Sequence, residues 1–375
     1  MRKALFITAL SLSVLLCACG GGSDNSGGGG GGGGGTTAAP TVSTTAAQNS
    51  AVIVSLASTT AGAVVYYTTD GSAPTSSSPR YLAPFLVASN LTLKAIAIAG
   101  GKASSVTTQA FSANIPSGTL VWSDEFSNSS GAIVQPDPAI WTYDTGNSGF
   151  GNHELETYCA WGSSTPPCST TSPSEFVGLD GYLHIVAQQP SLGVYTSARL
   201  KSQGLFSIQY GRLEFRALVP EAQGFWPAAW LLGNNLATIN WPACGEMDVL
   251  ERINAAGSPD WNAGSVHGTG FTGGTGLGVI YYFSGGETAA QWHTYGMIWS
   301  PGSVKYYIDD PANIYASFTP SSLNPLPGAV WPFDAGQSNF IILNLAIGGD
   351  WPGPPDGSTP FPSEMLVDYV RVYTN

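Results

Sequence analysis

Three carboxylates, Glu246, Asp248 and Glu251, stand within the six residues Glu246–Glu251 of an otherwise apolar run, Cys244-Gly-Glu-Met-Asp-Val-Leu-Glu251. Asp, Glu, Lys and Arg together make up only 10% of the chain, so such a cluster asks for a chemical reason. If the run is a β-strand, its side chains alternate with a period of two. Glu246 and Asp248 then share a face with Leu250, and Glu251 points the other way. One extra residue between Asp248 and Glu251, a β-bulge, returns Glu251 to that face. Two carboxyl groups facing one pocket, tuned by a third, are equipment for cleaving a glycosidic bond. With retention of configuration the two lie about 5–5.5 Å apart. Residues four apart on a flat strand are about 13 Å apart along the backbone. Glu246 and Glu251 are five apart, so they must lean inward around the bulge. The competing structural reading is an edge strand blunted by outward charge.

The rest of the chain must position these acids. It carries 48 Gly, 26 Pro, 11 Trp, 16 Tyr and 15 Phe, a composition that suits β-strands joined by many turns. Lys and Arg total 12 against 24 Asp and Glu, a net charge of -12. That balance excludes the basic surface nucleic acid requires. It also makes a poor partner for anionic lipid or a sulfated polymer. A neutral substrate fits better.

Residues 1–19 read as an export signal, with Arg2 and Lys3 followed by the apolar run Ala4 to Leu16. Leu16-Cys17-Ala18-Cys19-Gly20 resembles a bacterial lipoprotein lipobox, with Cys17 as its departure from the usual pattern. The resemblance implies lipidation at Cys19; ordinary cleavage and secretion is the alternative. Residues 20–39 include nine consecutive glycines, Gly27 to Gly35, and read as a flexible tether. Either route takes the mature chain out of the cytoplasm, with a lipid anchor as its only hold on a membrane. An oxidising compartment permits a disulfide, and Cys159 and Cys168 are spaced to close a loop. Cys244 is left over as a buried apolar side chain. Residues 40–114 show short alternating runs and turn signals such as Asp70-Gly71, the pattern of a small β-sandwich. Residues 115–119 form a linker. Residues 120–375 carry about a dozen alternating runs and read as a two-sheet sandwich or jelly roll, making the chain all-β.

Val64-Val-Tyr-Tyr-Thr-Thr-Asp-Gly-Ser-Ala-Pro-Thr75, Ser78-Pro-Arg-Tyr81 and Leu93-Lys-Ala-Ile-Ala97 look like the small domain appended to chitobiases and other secreted carbohydrate enzymes. This implies an immunoglobulin-like accessory domain without chemistry of its own. Tyr66 and Tyr67 alternate, so one belongs to its core and the other could meet sugar. In the second unit, Val121-Trp-Ser-Asp-Glu-Phe126, Gly149-Phe-Gly-Asn-His-Glu-Leu-Glu156, Gly224-Phe-Trp-Pro-Ala-Ala-Trp-Leu-Leu-Gly233, Trp241 through Glu251, Ser265-Val-His-Gly268 and Val367-Asp-Tyr-Val-Arg-Val-Tyr373 follow in order. This unit resembles the family 16 glycoside hydrolases along its entire length, and most closely the bacterial endo-1,3-β-glucanases, or laminarinases.

The resemblance implies a β-jelly roll with an open cleft on its concave sheet and a retaining double displacement. Glu246 becomes the nucleophile and Glu251 the acid, then base, with Asp248 between them; an intervening Asp can hydrogen bond Glu246 and supply charge near Glu251. The bulged spacing goes with laminarinases, agarases and carrageenases, and the unbulged one with lichenases. So few basic residues disfavour sulfated galactans, leaving β-1,3-glucan first, mixed-linkage glucan second and agar a distant third. Trp226 and Trp230 are the leading sugar-stacking residues. Asn152, Glu156 and Arg199 fall at positions lining the cleft, with His267 near Glu251, and Asn344 and Trp351 are further candidates. His153, His184 and His293 read as structural or surface residues. The family also implies a structural calcium on Glu125, the Gly181 carbonyl and Asp368; the alternative is an ion pair such as Asp368 with Arg371. No cofactor is expected for catalysis, and the chain is expected to be a monomer. A non-catalytic glucan-recognition protein would have lost the acids, which are all present. A transglycosylase would keep them.

Overall fold

The computed structural model describes residues 36–254, 260–334 and 336–375. The signal segment with Cys19, and the tether up to Gly35, lie outside the described residues. Among the described residues no helix is long and apolar enough to cross a membrane.

The alternating runs become strands. Near the N-terminus, Thr41–Ala46, Val52–Ala57 and Phe85–Val87 form one sheet, and Val64–Thr68, Leu91–Ala99, Lys102–Ala103 and Thr107–Phe111 another. Val54, Leu56, Tyr67, Phe85, Leu93 and Ala95 close the core of this part. Tyr67 stacks on Phe85 with ring centroids 5.1 Å apart, so of the two tyrosines it is the core member. This part is held against the rest of the chain. Leu86 belongs to the main core, its N–H donates to the Ser207 carbonyl at 3.0 Å, and Ser207 Oγ donates to the Pro84 carbonyl at 2.8 Å. Residues 115–119 are pinned as well, through Ile115 packed on the main core and the Gly118 and Thr119 amides bonded to Thr374.

The remainder is the expected all-β jelly-roll sandwich. One sheet has ten strands, with Ser363–Tyr373 between Leu183–Ser191 and Gly211–Leu218. The facing sheet has seven antiparallel strands in the order Leu277–Tyr282, Trp261–His267, Glu246–Glu251, Phe225–Gly233, Asn339–Ile347, Arg199–Lys201 and Thr142–Asp144. Alternation sorts its side chains. Phe225, Ala229, Leu231, Ile341, Leu343, Leu345 and Ile347 enter the core between the sheets. Trp226, Ala228, Trp230, Leu232, Asn344 and Ala346, one position out of phase, face the open side. The disulfide Cys159–Cys168 is formed, and Cys244 is free and fully buried.

The first and last strands of residues 120–375 also decide the fate of the expected calcium ligands. Leu120–Asp124 pairs with Ser363–Tyr373, which brings Arg371 to Glu125. Two bonds of 2.9 and 2.8 Å join that guanidinium to both carboxylate oxygens. Asp368 accepts from Arg216 at 2.5 Å. Hard cations need several free oxygens. Here each carboxylate is already neutralised by an arginine, so this set does not fit a calcium ion. The pairing also differs from the Asp368–Arg371 alternative, because Arg371 is taken by Glu125.

Candidate active site

The acid strand Glu246–Glu251 carries the bulge that its spacing requires. Against Phe225–Gly233 the pairs run Leu232↔Glu246, Leu231↔Met247 and Trp230↔Asp248, then jump to Ala229↔Leu250 and Ala228↔Glu251. Val249 is the extra residue. Val249 and Leu250, although consecutive, both enter the core with Met247. Glu246, Asp248 and Glu251 are thereby delivered to the floor of one cleft of about 860 Å³.

Each acid has its own surroundings. Glu246 Oε2 accepts the Trp241 indole N–H at 2.9 Å, and its Oε1 lies 3.8 Å from His267 Nε2. Asp248 Oδ2 lies 3.2 Å from His267 Nε2. Glu251 Oε1 accepts the Trp226 indole N–H at 3.2 Å. Burial dominates the electrostatics. It pushes Glu246 up to about 8, helped by the Asp248 charge and opposed by His267 and the Trp241 bond. Asp248 is pushed up to about 8 by burial alone. Glu251 is likewise pushed up to about 8, by burial and then by Asp248, against His267 and Trp226. His267, expected in the cleft near Glu251, stands across from Glu246 in the register Glu246↔His267, and its charge also acts on Glu251. One expectation is corrected here. Asp248 was expected to bond Glu246, but the group it meets at 3.2 Å is that histidine.

These raised pKa values bear on stability. A free carboxyl titrates near 4, so between about pH 4 and pH 8 the folded chain binds more protons than the unfolded chain, and stability falls as pH rises through that window. Asp248→Asn removes one such group. The variant is expected to melt a few degrees above the parent at pH 8, with the gain shrinking toward pH 4. Parallel thermal scans across that range check it; a gain that does not depend on pH would contradict it.

Of the other residues anticipated from the sequence, Asn152, Arg199, Trp226, Trp230, His267, Asn344 and Trp351 do line the cleft. Glu156 does not. Its strand Glu156–Tyr158 turns it inward to full burial, where Oε2 accepts the Ile347 N–H at 2.7 Å. Burial and the neighbouring Glu154 hold its carboxyl well above the usual range. Glu154 is the one at the cleft, bonded by Asn152 at 3.1 Å and by the Tyr158 hydroxyl at 2.8 Å. Tyr158 also accepts from Asn344 at 3.4 Å, and Asn344 Oδ1 accepts the Trp230 indole N–H at 2.8 Å. This chain of bonds fixes the plane of Trp230. Arg199 stacks on Trp230 at 4.8 Å while paired to Asp144 at 3.1 Å, so it is both a cleft wall and a structural ion-pair member.

The sequence reading missed Phe150, Glu154, Trp241 and Trp261. Trp261 could have been found by counting back in twos from His267, since Trp261, Ala263, Ser265 and His267 all face the cleft. Trp241 and Trp351 are 46% and 44% exposed, so both indoles are free to meet a sugar face. Among the described residues, Glu246, Asp248 and His267 are the one group of acids and histidine close enough to share a cation. Closeness alone does not make a metal site, and no resident metal is inferred.

Comparison with known proteins agrees with this geometry. Residues 168–351 match the family "Glycosyl hydrolases family 16", and residues 43–109 match the "Chitobiase/beta-hexosaminidase C-terminal domain". The chain is 36% identical to a beta-glucanase of Rhodothermus marinus over 270 residues, covering 69% of this chain and 86% of that protein. It is 32% identical over 280 residues to glucan endo-1,3-beta-glucosidase A1 of Niallia circulans, covering 68% of this chain and 37% of that longer protein. The laminarinase catalytic domain of Thermotoga maritima MSB8 superposes with a TM-score of 0.59 at 35% identity, over 69% of this chain and 99% of that domain.

Proposed function

Because this chain belongs to glycosyl hydrolase family 16, we propose that it hydrolyses internal β-1,3-glucosidic bonds of laminarin-like glucans by a retaining double displacement. The observation that carries the reading is the bulge at Val249, which turns Glu246, Asp248 and Glu251 onto one cleft floor. Glu246, with the Trp241 N–H and His267 beside it, has the partners that stabilise a carboxylate, and acts as nucleophile. Its oxygen bonds to the anomeric carbon as the bond to the leaving sugar breaks. Glu251, with one longer indole bond, keeps its proton and delivers it to the departing oxygen. Burial, and after it Asp248, raise the Glu251 carboxyl so that it can hold that proton. Once ionised, Glu251 takes a proton from water, which attacks the same carbon and frees Glu246.

The substrate follows from the lining. Among the described residues around the cleft, Arg199 is the one Lys or Arg, and Asp144 holds it. A sulfated or carboxylated polymer would find no free cation there. Trp226, Trp230, Trp241, Trp261 and Trp351 offer aromatic faces to a neutral glucan. The names of the related glucanases support β-1,3 linkages and internal cutting. The full chain, incubated with laminarin, lichenan and agarose, is expected to release short oligosaccharides from laminarin. Cleavage confined to lichenan or agarose would overturn the substrate assignment.

A further inference from the structure

We infer that Asn262 is a positioning residue that braces the bulge and aims Glu251 at the leaving oxygen; this rests on the glucanase reading above. Bulging a strand interrupts its hydrogen-bond ladder. Between the acid strand and Trp261–His267 the ladder runs through Glu246↔His267, Met247↔Val266 and Asp248↔Ser265. Beyond Asp248 the Asn262 side chain takes its place. Its Oδ1 accepts the Glu251 N–H at 3.1 Å, and its Nδ2 donates to the Val249 carbonyl at 3.1 Å. One amide thus satisfies a donor and an acceptor on either side of Leu250. The same Nδ2 reaches the Ala263 carbonyl and the Tyr315 hydroxyl, both at 3.2 Å. Asn262 is fully buried beneath the cleft, out of phase with Trp261 and Ala263, so it does not touch substrate. What it holds is the backbone of Glu251 itself. The site contains two strands that approach Glu251. Phe225–Gly233 pairs with it through Ala228, and Asn262 is the contact from the other side.

A brace on the proton donor has a kinetic signature that a merely structural residue lacks. Glycosidic bonds of laminarin need a proton to break, whereas a 2,4-dinitrophenyl leaving group departs without one. Asn262→Leu keeps the volume and removes both bonds. In the full chain it is expected to lower kcat/KM on laminarin about 100-fold, the scale of a small misplacement of a reacting group. On 2,4-dinitrophenyl β-laminaribioside kcat/KM should change less than about threefold, and the basic limb of the pH profile should move. Asn262→Asp keeps the acceptor for the Glu251 N–H and should fall between parent and Asn262→Leu on laminarin; it supplies the same comparison if the leucine variant does not fold. Equal losses on both substrates, or no loss on laminarin, would overturn the inference while leaving the glucanase reading intact. A parent chain inactive on laminarin would instead sink that reading, and this assignment with it.

Discussion

Glu246→Ala is expected to lower kcat on laminarin by about 10⁴-fold or more, equivalent to about 5 kcal/mol or more of lost transition-state stabilisation. In the proposed double displacement the covalent intermediate cannot form without this carboxylate, and no neighbour can replace it. Asp248 is nearly buried and engaged with His267, and Glu251 is tied to Trp226 on the far side of the bulge. The loss should be insensitive to the leaving group, because attack on the anomeric carbon is needed whichever group departs. The fold should survive. Glu246 is one of three acids whose burial weakens the folded state above about pH 4, so its removal is neutral or stabilising near pH 8. Steady-state rates on laminarin and on the dinitrophenyl glycoside, with thermal melting of the same samples, check all three points. A variant retaining a tenth of the parent's turnover would assign the nucleophile elsewhere.

Glu251→Ala is expected to behave differently, and the difference separates the two roles. Loss of a positioned general acid costs about 10²–10⁴-fold where the leaving group needs its proton. On laminarin kcat/KM should fall by that amount. On the dinitrophenyl glycoside it should fall little, because that bond breaks unassisted. The second step then becomes slow, since nothing takes a proton from water, and kcat falls while the covalent intermediate accumulates. Azide needs no such help and should restore kcat on the activated substrate. A loss equal on both substrates and indifferent to azide would contradict the assignment. Burial and Asp248 hold the Glu251 carboxyl up at about 8, so it can still carry its proton near neutral pH; Glu246 is held up to about 8 as well, so the leaving-group and azide responses, not these values, divide the two roles.

Much of this was legible in the sequence because two rules act locally. A period of two divides Trp226 and Trp230 from Phe225, Ala229 and Leu231, and the structure keeps that division. The spacing from Glu246 to Glu251 demands one extra residue, and Val249 is that residue. What could not be read depends on which strands become neighbours, or on backbone that is not strand. Glu154 and Glu156 differ by two residues and look equivalent under alternation. The backbone between Gly149 and Glu154 is irregular, with His153 at a φ of 55°, so only Glu156 lies on a regular strand, and that strand turns it inward. Trp241 sits in the turn before the acid strand, where no periodicity gives a direction. Asn262 is a polar residue between apolar ones until the ladder is seen to stop beside it. The carboxylates of Glu125 and Asp368 read as metal ligands because nothing local shows that Arg371 and Arg216 will meet them.

The assignment of Glu246 as nucleophile can be tested by stereochemistry as well as rate. Glu246→Ala leaves the Trp241 N–H and His267 facing a space large enough for a small anion. Azide added with an activated β-glycoside should enter that space and attack from the side the carboxylate occupied. The product read by proton NMR should be the α-glycosyl azide. A β-glycosyl azide would mean that Glu246 and Glu251 hold each other's roles.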